Sequence, residues 1–251
     1  MENPASGGGP ARRGWSADLV DVLAILFAPR RAFRTLAARR PLLVPWLLAA
    51  VPTVVLNVFV VSIAQRASVH LMDTLDDPDL VAAVSGQLQG MKMLAVVTSP
   101  LALLLRWGVL ASLLWAVGTF ALPAASLRTM LCIVACSGLP DVIGRGLDLW
   151  VTWTAGPEFT PELVPQLTPA TSFAVLFPRL PGTWLPALLE RLTPFTLWAA
   201  ALWAVGIREM EGTGWGRAAA VAAPVWLLAL ATGTAAAVLT GSLSGGTTLL
   251  P

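Results

Sequence analysis

The chain has 251 residues, of which 56% are hydrophobic and only 12% are charged, and its mean hydropathy is +0.75. A soluble domain carries about 25% charged residues, so this composition excludes an ordinary soluble protein and indicates a protein that lies in a membrane. The net charge of +2 is too small to indicate a nucleic-acid partner.

The N-terminal region predicts a tail followed by a basic helix. Residues 1–15 are polar and Gly-rich, which predicts a disordered tail. Residues 16–40 predict two short helices. In the second, the apolar side chains share one face and arginines fill the other, as in a helix that lies in a lipid interface and binds anionic headgroups. For residues 16–28, a plain helix without a lipid role is the alternative. The predicted lipid-interface residues are Arg30, Arg31, Phe33, Arg34, Arg39 and Arg40.

Five apolar stretches follow, each long enough to cross about 30 Å of hydrocarbon at ~1.5 Å per residue. They lie at about 42–64, 94–120, 127–151, 185–207 and 218–239. The fold class predicted is therefore all-α: a polytopic membrane protein with five transmembrane helices over residues 41–240, preceded by an amphipathic interfacial helix. Residues 241–251 predict a flexible tail. A short surface helix is expected to begin at Pro78, and Asn57 of the first span is expected to hydrogen-bond another span.

Lys and Arg are unevenly distributed between the two sides of this arrangement. With the N-terminus inside, the inner segments hold ten of the sixteen and the outer segments hold five, with Arg106 left inside a span. Cytoplasmic loops carry the excess of Lys and Arg in membrane proteins, so we expect a cytoplasmic N-terminus and an outside C-terminus.

Four charged residues interrupt the second and third spans. Arg106 lies in the middle of the second, and Asp141, Arg145 and Asp148 share one face of the third, where Arg145 can pair with either carboxylate. A charge at this depth costs at least ~2.5 kcal/mol on insertion scales and is usually paired. We therefore predict a buried polar cluster. It either holds the bundle together or forms a polar path for a substrate, and its predicted self-neutralisation favours the structural role.

Three short motifs, in their order, resemble the bacterial form of the Yip domain family, named for Ypt-interacting protein one. They are FAPRRAFRTLAARRP at 27–41, similar to the family's Phe-x-Pro-Arg-Arg-Ala-Phe lead-in to its first span, GLP at 138–140, and FTLWAAALWAVGIREMEG at 195–212 followed by RAAAV at 217–221. The resemblance spans roughly residues 18–240. It implies five spans, a cytoplasmic N-terminus and, for a bacterial member, the inner (plasma) membrane. The family is linked to Rab GTPases and vesicle traffic in eukaryotes, and some bacterial members resemble accessory subunits of exporters.

Three classes of function compete. The preferred one is a non-enzymatic membrane scaffold or accessory protein that engages lipid through residues 16–40 and partner proteins, or a second copy, through its spans. The alternative is a small transporter, channel or exporter-associated subunit that uses the Arg/Asp cluster. An intramembrane enzyme is disfavoured, because the sequence has a single His and no HExxH, GxSxG or Walker-type motif. No catalytic residue, cofactor or metal site is predicted.

Overall fold

The computed structural model describes residues 15–72, 78–123, 125–154, 169–177 and 183–245, and every regular element in these ranges is helical. Most of the predicted N-terminal tail lies outside them. In chain order the helices are α1 (Trp15–Ala24), α2 (Pro29–Ala37), α3 (Leu43–Met72), α4 (Pro78–Ala121), α5 (Leu127–Ser137), α6 (Leu139–Thr154), α7 (Trp184–Arg191), α8 (Pro194–Glu211) and α9 (Trp215–Gly245), with a turn of 3-10 helix at Phe173–Leu176.

Four helical stretches are long and apolar enough to cross a membrane. They are Leu43–Ser62 in α3, Val96–Ala121 in α4, Leu127–Thr154 across α5 and α6, and Trp215–Thr240 in α9. These stretches coincide with the first, second, third and fifth predicted spans. The all-helical, membrane-spanning architecture predicted from hydropathy is therefore confirmed.

The stretch predicted as the fourth span forms two helices. The helix is interrupted by extended backbone at Leu192 and Thr193, between the end of α7 at Arg191 and the start of α8 at Pro194. Pro194 lacks the N–H that would continue the earlier helix, and the Thr193 side chain caps α8 by accepting a hydrogen bond from the Thr196 N–H at 3.0 Å. α8 also carries Arg208 and two glutamates near its end. Whether this stretch crosses the membrane stays a prediction.

Two helices run further than the sequence pattern predicted. α4 is continuous from Pro78, so the short surface helix expected there is the first part of the long second helix. α9 continues to Gly245, into the segment predicted as a tail. The expected polar link is present, because the Asn57 side-chain amide donates a hydrogen bond to Ser99 Oγ at 2.6 Å and joins α3 to α4.

The densest part of the core surrounds α5, in which eight of the 11 residues are buried. Ile133 of α5, Phe33 of α2 and Ile207 of α8 are all fully buried and belong to the same apolar cluster. Gly206 makes this close approach possible, since a Cβ atom there would lie 2.8 Å from Ile133 Cγ2 and 3.2 Å from Phe33 Cε1. The absence of a side chain on α8 thus lets α2 and α5 pack directly against its backbone.

Candidate functional site

The apolar face of α2 packs against protein. Ala32, Phe33 and Leu36 are buried, with Phe33 lying over Gly206 of α8. The sequence correctly places these residues on a single face, but the structure covers that face with α5 and α8. Any contact of α2 with lipid therefore has to be made by its polar face.

Exposed arginines form that polar face. Arg30, Arg31 and Arg34 are exposed on α2. The Arg34 Nε donates to Glu209 Oε2 at 2.6 Å, and the Arg30 guanidinium lies 5.2 Å from the centroid of the Trp215 ring. These contacts attach α2 to the end of α8 and the start of α9 while leaving the three guanidinium groups accessible.

The last two predicted lipid-interface residues are held by protein groups. Arg39 forms ion pairs with Asp18 and Asp21 of α1. Arg40, just beyond α2, donates to Ser126 Oγ at 3.2 Å, which links it to the start of α5. Both side chains are only partly exposed. Of the six predicted residues, Arg30, Arg31 and Arg34 are thus the best placed for headgroup contact.

A carboxyl group of perturbed acidity lies beside this region. Glu211 is the last residue of α8 and faces Thr129 and Arg40. Partial burial raises the pKa of the Glu211 carboxyl above its ordinary value, although a hydrogen bond with Thr129 and the charge of Arg40 act in the opposite direction. Its protonation is therefore coupled to folding.

A cavity of about 1070 Å³ lies between α4, α6, α7, α8 and α9. It contains all four residues of the predicted polar cluster, and two charged residues of α7 join them. The charged residues lining it are Arg106, Asp141, Arg145, Asp148, Glu190 and Arg191. Glu190 and Arg191 are visible in the sequence as charges at the start of the predicted fourth span, but only the tertiary structure brings them to the cluster.

Hydrogen bonds inside the cavity differ from the predicted pairing. Arg106 Nη2 lies 3.2 Å from Asp141 Oδ2, and Asp148 Oδ1 accepts a hydrogen bond from the Thr171 backbone N–H at 2.8 Å. The pair predicted between Arg145 and a neighbouring carboxylate is not formed, and Arg145 has no ion pair or hydrogen bond within the residues that the structure describes. The Arg106 side chain is 52% exposed. The cluster therefore lines an open space, instead of being sealed in the bundle.

Small residues shape the cavity walls. A Cβ atom on Gly144 would lie 2.8 Å from Phe195 Cδ2, and one on Gly233 would lie 2.8 Å from Arg191 Nη1. The two glycines let Phe195 pack on α6 and the Arg191 guanidinium pack on α9. Trp203 and Trp226 contribute apolar wall. The cavity thus combines charged groups with aromatic and aliphatic surface, a combination typical of a ligand site.

A comparison with protein families finds that the Yip1 domain model matches residues 23–236. The chain belongs to the Yip1 domain family. No curated protein and no solved structure matches it. The matched range contains both α2 and the cavity. Family membership and the four apolar helices together identify this Yip1 domain protein as an integral membrane protein.

The chemistry available to this Yip1 domain protein is that of charged and aromatic side chains. In the described ranges, no group of three His, Cys, Asp or Glu residues is arranged to hold a metal ion. Its two cysteines, Cys132 and Cys136, are buried in α5 and unbridged. Yip1 domain proteins are in general non-enzymatic membrane proteins.

Proposed function

We propose that this protein is a non-enzymatic scaffold or accessory protein of the bacterial inner membrane, with five crossings and a cytoplasmic N-terminus. It contacts anionic headgroups through the exposed arginines of α2. Partner proteins or a second copy bind the outer faces of its spans. The observation that carries the proposal is that α2 is fastened to α8 by its apolar face, which leaves Arg30, Arg31 and Arg34 accessible.

The position of α8 supports the five crossings. Phe195, in its first turn, packs on Gly144 at the cavity, and Glu209, in its last turn, binds Arg34 of α2. α8 therefore connects the cavity with the arginine-rich end over ~27 Å for 18 residues, close to the thickness of the hydrocarbon core.

The clustering of arginines supports the orientation. The end of the bundle that carries α2 also carries the start of α5 and the junction of α8 with α9, as the contacts of Arg40 with Ser126 and of Arg30 with Trp215 demonstrate. Exposed Arg128 and Arg217 lie at these two helix starts. Such an accumulation of positive charge favours the cytoplasmic side.

Retention of anionic lipid by the purified full-length chain tests the lipid role. Each Arg near an anionic surface contributes about 1 kcal/mol, so the double variant Arg30→Gln/Arg31→Gln, which loses about 2 kcal/mol, should bind phosphatidylglycerol about thirtyfold more weakly in a native mass-spectrometry titration. Phosphatidylcholine retention should stay unchanged. Lys92→Gln, in α4 and outside both α2 and the cavity lining, is the control for loss of a single positive charge. Equal phosphatidylglycerol retention by the double variant and the parent chain would reject the role.

The cavity favours a second candidate function, a small transporter or exporter-associated subunit. About 1070 Å³ of space lined by six charged residues is consistent with a polar path. In this case dye-loaded proteoliposomes should leak protons, chloride or phosphate faster than empty vesicles, and Asp141→Asn should abolish the leak. Vesicles that contain the protein and stay as tight as empty ones would leave the scaffold role as the better account.

A further inference from the structure

The cavity holds charged side chains that form no close ion pair with the described part of the chain. Arg145 precedes the end of α6 by nine residues, or about 14 Å, and faces the cavity with no ion pair to a described residue. Glu190 and Arg191 also make no ion pair with the residues that the structure describes. A charged side chain at membrane depth costs at least ~2.5 kcal/mol, so a cavity with this lining favours water or a ligand with charges of its own.

The charge balance of the lining indicates which charges such a ligand carries. Three arginines and three carboxylates line the cavity, so its formal charge is zero. A net anion would add an uncompensated charge at membrane depth, whereas a zwitterion would not. Guanidinium groups bind phosphate oxygens through paired hydrogen bonds, and a carboxylate accepts hydrogen bonds from a primary ammonium group.

The apolar part of the lining indicates where the rest of the ligand lies. Leu105, Val109 and Leu228 line the cavity, and all three side chains are exposed. All three belong to stretches that can span a membrane. Exposed apolar side chains of membrane-spanning stretches therefore border the charged groups of the cavity. Its volume is at the upper end of the range for ligand pockets, about 300–1,000 Å³.

We propose that the cavity binds the headgroup of a single phospholipid that carries a phosphodiester and a primary ammonium group. The phosphate binds Arg145, the ammonium binds Glu190, and the acyl chains leave the cavity over Leu105, Val109 and Leu228. This site is separate from the arginines of α2, and it requires neither the scaffold role nor transport.

Native mass spectrometry of the full-length chain tests the proposal. Phosphatidylethanolamine, phosphatidylcholine and phosphatidylglycerol with identical acyl chains are titrated onto the Arg30→Gln/Arg31→Gln background, which removes two of the three exposed arginines of α2. A single phosphatidylethanolamine should be retained in preference to the other two. Arg145→Gln should weaken this binding about tenfold, because a charge-assisted hydrogen bond is lost. The matched control is Arg128→Gln, which removes an exposed arginine outside the cavity and should change nothing.

Glu190→Gln tests the headgroup assignment. A trimethylammonium group donates no hydrogen bond, so the parent chain should prefer phosphatidylethanolamine to phosphatidylcholine. The variant should lose that preference. Phosphatidylglycerol binding at least as tightly as phosphatidylethanolamine, or Arg145→Gln without effect, would overturn the proposal.

Soluble glycerophosphoethanolamine distinguishes a lipid from a free zwitterion. It carries the same headgroup without acyl chains and should bind at least a hundredfold more weakly than the lipid. Equal binding would assign the cavity to a soluble phosphoamine and would overturn the lipid site. Should Arg145→Gln fail to fold, Ala229→Trp fills the cavity from α9. Lipid retention by this filled variant would equally refute the proposal.

Discussion

Arginines accumulate at two places in this chain, the α2 end and the cavity. At the α2 end, Arg34 and Arg39 bind carboxylates of α8 and α1, and Gly206 lets Phe33 fill the space beneath them. In the cavity, Arg106 has a single carboxylate partner at 3.2 Å and Arg145 has none among the described residues. Arginine therefore fastens one helix to another at the α2 end, whereas in the cavity it faces an open volume.

The largest difference between the α2 end and the cavity is expected in the free energy of unfolding when a larger side chain is introduced at each. Gly206→Leu introduces a side chain where a Cβ atom already lies 2.8 Å from Ile133, so it should destabilise the fold by about 3 kcal/mol. Ala229→Leu, the matched small-to-large change, faces the cavity and should change stability by less than about 0.5 kcal/mol. Thermal unfolding in detergent measures both. Similar losses for the two variants would mean that the cavity is as tightly packed as the core around α5.

A smaller effect is expected from the ion pair that fastens α2. Glu209 is only 6% exposed, whereas Arg34 is 67% exposed, so solvent screens part of the pair. Arg34→Gln should cost about 1 kcal/mol, because among the described residues it leaves this mostly buried carboxylate with Arg208, at 3.3 Å, as its remaining ion-pair partner. The double variant Arg34→Gln/Glu209→Gln should recover part of this loss. A double-mutant cycle with no coupling energy would show that Phe33 and Leu36 hold α2 without help from the ion pair.

The smallest effect is expected from pH, at Glu211. Its pKa is raised in the folded chain, chiefly by burial. The protonated form is therefore favoured by folding, so its stabilising contribution is complete below the unfolded pKa, and it is lost as pH rises through the folded pKa. Glu211→Gln should be the more stable chain at pH 8. The difference should vanish towards pH 4, as melting curves at both pH values would test. A variant less stable than the parent at pH 8 would contradict the assigned burial effect.

The sequence predicts those features of the α2 end that depend on neighbouring residues, and it does not predict those that depend on residues far apart in the chain. The spacing of Phe33 and Leu36 defines an apolar face, because helical periodicity is a local property. It does not say what covers that face. Lipid was expected to cover this face, whereas the structure covers it with α5 and α8. The close contact depends on Gly206, which is 173 residues away from Phe33, so a local sequence pattern does not reveal it.

The cavity illustrates the same limit. The i, i+4, i+7 spacing predicts a single face for Asp141, Arg145 and Asp148, and in the structure all three line the cavity together with Arg106. That Arg145 forms no ion pair among the described residues was not predictable, because charge pairing depends on interatomic distances that the sequence does not contain. Glu190 and Arg191 are the last two residues of α7 and line the cavity. The break that follows them is visible in the sequence, because Thr193 and Pro194 form a typical start for the next helix.

The sequence by itself determined that this is a helical membrane protein, because the thickness of the bilayer and the periodicity of the helix act on contiguous residues. Its match to the Yip1 domain model is likewise a property of the sequence alone. Only the tertiary structure decided that the basic helix lies on protein and that six charged side chains share a cavity. Those outcomes depend on which helices approach closely enough to touch. That approach is set by side-chain volume at positions far apart in the chain, such as Gly144 and Gly206.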